Sequence, residues 1–236
     1  MPLLDRSMRI EPLFRDRRDA GQILAKQVLQ SVPDPEPLVL ALPRGGVPVG
    51  FEIARALHAE LDVFLVRKLG LPGQEELAIG ALASGGVRVL NEALVAELQL
   101  SRRLIDQITA REKRELKRRE ELYRRGRPAR PIRHRTVLLV DDGLATGASM
   151  KAAAQALRLQ EPQLIITAVP VAAAQTCDEF RRDVDQIICA YTPEPFLAVG
   201  VWYENFSQTT DDEVEQLLRE AESQAAAQHR PIQNHA

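Results

Sequence analysis

Short apolar runs alternate with amphipathic stretches along most of this chain. Residues 38–42, 61–66, 136–140 and 163–169 are built of Val, Leu, Ile, Phe and Ala with little polar interruption, and 186–190 is strand-like in the same way. Apolarity that is continuous rather than alternating marks strands covered on both faces. Helical periods lie between them: 19–30, with Ile23, Leu24, Gln27 and Val28 near one face, then 47–58, 146–159, 176–183 and 211–224. Pro33, Pro35 and Pro37 force an extended link after the first helix. Residues 77–83 and 87–90 flank Ser84-Gly85-Gly86 as a β-hairpin, and Asn91 caps a helix to about Leu98. The polar, Gly/Pro-marked stretch 67–76 predicts a loop. Residues 101–125 predict one long charged helix that 126–131 stops, and 196–199 predicts a last short strand. The βα alternation gives an α/β fold with a central, mostly parallel sheet and helices on both faces. It is read as a single domain over 1–225, with a helical insertion at about 91–130, a small hood at about 191–210 and a flexible tail over 226–236.

The chemistry concentrates after the strand at 136–140. There the chain reads Val137-Leu138-Leu139-Val140-Asp141-Asp142-Gly143-Leu144-Ala145-Thr146-Gly147-Ala148-Ser149. A buried strand delivers two carboxylates to its C-terminal end, where open α/β sheets bind ligands. The small-residue coil that follows opens a helix. Its free amides, the positive end of the helix dipole and the Thr146 and Ser149 hydroxyls suit a phosphate. Adjacent acids beside a phosphate cup suit a sugar, because carboxylates accept hydrogen bonds from vicinal hydroxyls. No GxxxxGK[ST] is present, and no GxGxxG follows the first strand, so neither common nucleotide loop applies.

In order and spacing, this segment resembles the substrate motif of type I phosphoribosyltransferases. The resemblance spans roughly 14–214 and implies a Rossmann-like core and a Mg²⁺-dependent transfer. The 5-phosphoribosyl group of 5-phosphoribosyl-1-pyrophosphate (PRPP) would pass to a small nitrogenous acceptor with release of pyrophosphate. By that likeness Asp141 and Asp142 hold the ribose hydroxyls and, mostly through ligand and water, the metal. Gly143, Leu144, Ala145, Thr146, Gly147, Ala148 and Ser149 hold the 5′-phosphate. Pro43-Arg44-Gly45-Gly46 resembles the family's pyrophosphate loop, which implies a cis peptide, expected at Pro43–Arg44. Arg67 and Lys68 are similar to the start of the flexible loop in adenine-type members and would face pyrophosphate. Phe196, Leu197, Trp202 and Glu204 resemble base-binding positions of the hood. Two departures argue against hypoxanthine or guanine as acceptor: Ala145 stands where the family often has Asp, and Pro170-Val171-Ala172-Ala173 offers no Lys after its strand. Dimers are frequent among small α/β enzymes of this kind, so a homodimer is the assembly that analogy suggests.

Composition narrows the setting. A formal net charge of −2 gives no bias toward nucleic acid or membrane. Residues 1–18 lack the apolar core of a signal peptide, and no run reaches the roughly 18 apolar residues of a membrane helix. Cys177 and Cys189 form no CxxC and read as two isolated thiols of a reducing compartment. A cytoplasmic protein is the expectation. The helix at 101–125 is strongly basic. From Arg102 to Arg127 there are eleven Arg or Lys and five Asp or Glu, mostly a solvated face with pairs such as Glu115–Arg119 and Glu120–Arg124. Arg118, Arg119 or Tyr123 are its candidates for capping an anionic substrate. The competing functions are a PRPP-sensing regulator that binds RNA through this helix, and a metal-dependent phosphohydrolase built on the acid pair.

Overall fold

The computed structural model describes residues 11–228, with side chains to Ala225. Five strands, β1 (Leu38–Ala41), β2 (Glu60–Val63), β6 (Thr136–Val140), β7 (Leu164–Val171) and β8 (Gln186–Tyr191), form a parallel sheet in the order β2-β1-β6-β7-β8. Helices α1 (Arg17–Ser31), α2 (Gly46–Leu57) and α7 (Asp211–Gln228) cover one face, against Val39, Ala41, Leu138 and Val140. Helices α5 (Ala148–Arg158) and α6 (Ala174–Phe180) cover the other, against Leu38, Leu40, Val137 and Leu139. Successive residues of β6 thus point into opposite cores, which is why that strand is apolar at every position. The expected doubly covered sheet is present. Among the described residues, no helix is long and apolar enough to cross a membrane.

The chain leaves this sheet earlier than its apolarity suggests. Residues 61–66 are not one strand: β2 ends at Val63, Phe64 and Leu65 are buried, and β3 (Val66–Leu71) starts a second sheet. That sheet is antiparallel, β3-β4-β5, with β4 at Gln74–Ala83 and β5 at Val87–Leu90. The loop expected over 67–76 is therefore a correction. Its polar residues occupy the exposed faces of a hairpin, and Gly73, at φ +80°, makes the turn. The β4–β5 hairpin and the Asn91-capped α3 (Glu92–Glu97) stand as expected. Helix α4 (Arg102–Arg124) packs on β3 and on α7.

Three further expectations are corrected. Residues 196–199 form no strand; the chain instead makes a 3₁₀ turn at Val199–Trp202, held by Leu13 and Phe14 amides that donate to the Trp202 carbonyl. Cys177 and Cys189 are not isolated thiols but a disulfide joining α6 to β8; twelve residues apart in sequence, they meet only because α6 folds back on the sheet. Helix α7 continues to Gln228, into the segment expected as tail, and the rest of that tail lies outside the described residues.

Candidate functional site

The sheet order reverses between β1 and β6. Ala41 pairs with Val140, and the Leu42 amide donates to the Val140 carbonyl at 2.8 Å, so the turns after both strands emerge side by side. This is the switch point at which doubly wound sheets form a crevice. The Pro43–Arg44 peptide is cis, as the motif led us to expect. The loop then lies directly on the acids. A methyl group on Gly45 would meet Asp142 Oδ2 at 2.0 Å, and one on Gly46 would meet the Val140 carbonyl oxygen at 2.7 Å and Asp141 Cα at 2.9 Å. Only glycine permits that approach.

The two carboxylates are half-buried. The Asp142 amide donates to Asp141 Oδ1 at 2.8 Å. Burial, and then the neighbouring charge of Asp142, push the Asp141 carboxyl well above the usual carboxylate range. Burial also raises Asp142, against the pull of Arg17. Sequence reading missed Arg17, whose only signal was membership of a charged N-terminal stretch. It stands at the start of α1, and its Nε donates to Asp142 Oδ2 at 2.7 Å while Nη1 donates to the Ser207 carbonyl at 2.7 Å. Its guanidinium lies 3.9 Å from the centroid of the Phe206 ring. Tyr203, also missed, donates its hydroxyl to the Asp142 carbonyl at 2.5 Å. Burial, and then the charge of Asp142, raise its pKa.

The coil after the acids is braced from behind. The Leu144 amide donates to the Val171 carbonyl at 2.9 Å, the Ala173 amide to the Leu144 carbonyl at 3.2 Å, and the Thr176 hydroxyl to the Ala145 carbonyl at 2.7 Å. Gly143 passes so close to Val199 that a Cβ would meet its Cγ1 at 2.4 Å. Gly147 takes φ +70° as α5 begins. With Leu144 buried as the anchor, Ala145, Thr146, Ala148 and Ser149 are exposed. Among the described residues, no protein acceptor takes the amides of Ala145, Thr146, Gly147, Ala148 or Ser149, an arrangement ready for an anion. Ala148 and Ser149 also border a cleft of about 550 Å³ between α5 and the hairpin sheet, which Lys68 and Lys151 line as well.

The remaining candidates divide. Arg44 lies beside the acid loop, with Nη1 3.7 Å from Asp211 Oδ1. Arg67 is drawn away: its Nε and Nη2 both donate to Glu112 Oε2 of α4, at 3.0 and 2.8 Å. Lys68, on the opposite face of β3, is exposed at the cleft. In the hood, Trp202 is 7% exposed and packs with Phe14, Val171 and Tyr203, whereas Leu197 is 65% exposed; Phe196 is half-buried beside that cluster and Glu204 is exposed. The indole of Trp202 is thus core rather than a free stacking face.

A doubly wound α/β domain with paired acids, a glycine-tight turn and an amide-lined coil at its switch point defines the class of fold and site. The chain belongs to the phosphoribosyl transferase domain family, whose profile matches residues 16–192. It is 46% identical over 209 residues to proteins of two Mycobacterium tuberculosis strains that carry provisional phosphoribosyl transferase names. The alignment covers 89% of this chain and 47% of theirs, so the chain spans about half the length of these curated relatives. The crystal structure of TT1426 from Thermus thermophilus is similar at 42% identity and a TM-score of 0.78, over 88% of this chain and 98% of that one.

Proposed function

We propose that this domain binds PRPP at the β1/β6 switch point and transfers its 5-phosphoribosyl group to a small nitrogenous base, releasing pyrophosphate. The observation that carries the reading is the contact of the Arg44–Gly46 turn with Asp141 and Asp142, beside the unpaired amides of 145–149. In this reading the amides and the Thr146 and Ser149 hydroxyls hold the 5′-phosphate, Asp141 and Asp142 hold the ribose hydroxyls, and Arg44 with the Gly45 and Gly46 backbone meets pyrophosphate. Lys68 reaches the same ligand from the hairpin. Arg67 has no part in it, because Glu112 already holds its guanidinium.

During transfer the C1–O bond breaks and its electron pair leaves with pyrophosphate, while the lone pair of the acceptor nitrogen forms the C1–N bond. The paired carboxylates offset the positive charge that builds on the sugar, and Arg44 and Lys68 offset the negative charge on the leaving group. Ala145 carries no base, so the proton lost by the acceptor passes to water or to pyrophosphate. That position, and the absence of Lys in Pro170-Val171-Ala172-Ala173, favour an acceptor other than a 6-oxopurine.

Mg²⁺ fits the donor set. Among the described residues no group of three or more His, Cys, Asp or Glu is gathered. Two adjacent carboxylates match an ion that keeps waters and takes most of its ligands from phosphate. Asp141 and Asp142 would hold it, and the ion would neutralise pyrophosphate oxygens. The regulator reading loses support from α4: Tyr123, its single aromatic, is 1% exposed and offers no stacking platform for RNA. Calorimetry with Mg-PRPP tests the proposal. The wild type should bind, and Asp141→Asn/Asp142→Asn should bind at least tenfold more weakly, the loss of two charge-assisted contacts. Equal affinity in the double variant refutes the assignment of the acids.

A further inference from the structure

Arg44, the cation carried by the turn after β1, has a support that neither the turn nor the sheet supplies. Asp211 opens α7. Its backbone is fixed by Thr210, whose hydroxyl accepts from the Glu213 amide at 3.1 Å and whose carbonyl accepts from Val214 at 3.1 Å. Val214, Leu217 and Leu218 lock α7 into the core. On one side Asp211 Oδ1 lies 3.7 Å from Arg44 Nη1. On the other it accepts the Tyr123 hydroxyl at 2.6 Å, from the last turn of α4. Tyr123 is fully buried, so its hydroxyl is a fixed point rather than a surface group.

The last turn of α4 is fixed in its own right. Arg124 is 8% exposed; its Nε donates to both oxygens of Asp62 on β2, at 3.0 and 3.2 Å, and its Nη2 to the Val63 carbonyl at 3.0 Å. Arg127, just past the helix, returns to the Tyr123 and Arg124 carbonyls. A path of contacts therefore runs from the sheet through Arg124 to Tyr123 and on to Asp211, and ends at the 3.7 Å ion pair with Arg44. A partly exposed arginine has rotamer freedom to lose when it engages a ligand; a carboxylate beside it reduces that freedom beforehand.

We propose that Tyr123 and Asp211 are positioning residues for the pyrophosphate end of the substrate: they aim Arg44 at the leaving group, and doing so is a task of the inserted helix α4. The inference rests on the reading of this site as a PRPP site, with Arg44 at the pyrophosphate. It concerns one end of the ligand, which makes it separable from that reading. Ribose 5-phosphate has the sugar and the 5′-phosphate without pyrophosphate, so it engages the acids and the 145–149 coil but not Arg44.

The test is calorimetry of Asp211→Ala and Tyr123→Phe with two probes, Mg-PRPP and ribose 5-phosphate, with melting curves to confirm folding. Tyr123→Phe removes one hydroxyl and keeps the ring in the core. Asp211→Ala should weaken PRPP about fivefold, and Tyr123→Phe about twofold to threefold, with ribose 5-phosphate moved by less than about 1.5-fold in both; these are losses of one oriented contact rather than of a site. Rescue of PRPP affinity toward wild type by Asp211→Glu would support the role of the carboxylate. Unchanged or tighter PRPP binding in Asp211→Ala overturns the inference, since a carboxylate that merely competes for Arg44 would give tighter binding. Equal weakening of both probes overturns it as well, because that is the signature of general destabilisation. A wild type that binds neither probe removes the PRPP reading, and this inference with it.

Discussion

The acid-pair region and the hairpin region both present basic or acidic side chains after a strand, yet they use them differently. Between Val140 and Ser149 the groups that matter are neighbours in sequence, and the strand, coil and helix start leave them few choices of direction. Asp141 and Asp142 stay beside the Arg44–Gly46 turn because Gly45 and Gly46 have no side chain to hold the two strand ends apart. Between Val66 and Ala83, sequence proximity misleads. Arg67 and Lys68 are adjacent, but on a strand they point to opposite faces. Arg67 meets Glu112, 45 residues away, and becomes part of the scaffold, while Lys68 reaches the cleft. A basic pair after a strand is a ligand pair only where no partner helix covers one face.

Glycines give the strongest test of that contrast. Gly46→Ala should remove Mg-PRPP binding altogether and lower stability by about 2–3 kcal/mol, because the added methyl meets backbone at 2.7 and 2.9 Å. Gly86→Ala in the hairpin turn, where a Cβ finds open space at φ +76°, should cost only about 1 kcal/mol and leave binding intact. Thermal melts and calorimetry separate the two; similar losses at both sites would abolish the distinction.

Next in size is the reciprocal pair Arg67→Ala and Lys68→Ala. Arg67→Ala leaves Oε2 of Glu112, whose side chain is 8% exposed, without its two Arg67 donors, while Arg111 still holds Oε1. It should lower stability by about 2 kcal/mol, roughly 4–8 °C in Tm, with PRPP affinity unchanged. Lys68→Ala should do the opposite, weakening PRPP about threefold to tenfold without moving Tm. The same pattern in both variants would show that the strand does not sort them.

The smallest effect concerns pH. Asp141 has its carboxyl raised by burial and by Asp142. The folded protein therefore holds that proton more tightly than the unfolded chain, and stability falls as pH rises from the unfolded value toward the folded one. Ionised Asp141 is thus a cost at neutral pH. Asp141→Asn should raise Tm at pH 7 by about 2–4 °C while PRPP binding weakens. The gain should shrink as pH falls toward 4, where the wild-type acid is protonated in the fold. A Tm gain independent of pH, or a loss at pH 7, contradicts the assignment.

Much of the plan was legible from local pattern. The parallel strands, the cis Pro43–Arg44 turn, the acid pair, the coil to Ser149 and the pairs Glu115–Arg119 and Glu120–Arg124 are all present. The strands, the acid pair, the coil and the helix pairs are set by groups within a few residues of one another, so periodicity and spacing carry the information; the cis turn was expected from the family resemblance alone. The missed side-chain contacts share one cause. Arg17 on Asp142, Arg67 on Glu112, Tyr123 on Asp211 and Cys177 on Cys189 are partnerships between different elements, and the short strand expected at 196–199 is absent because Phe196 and Val199 pack on the cluster of Phe14 and Val171 rather than along a sheet edge.

The amino-acid order alone determined which strands are buried on both faces and where two acids stand beside free amides, because both follow from short-range geometry along one strand and one turn. Which charges face that crevice and which are consumed as struts was decided by tertiary structure. Ion pairing depends on distance in space, and helices α1 and α4 bring their arginines and carboxylates to the sheet from positions the chain order does not reveal.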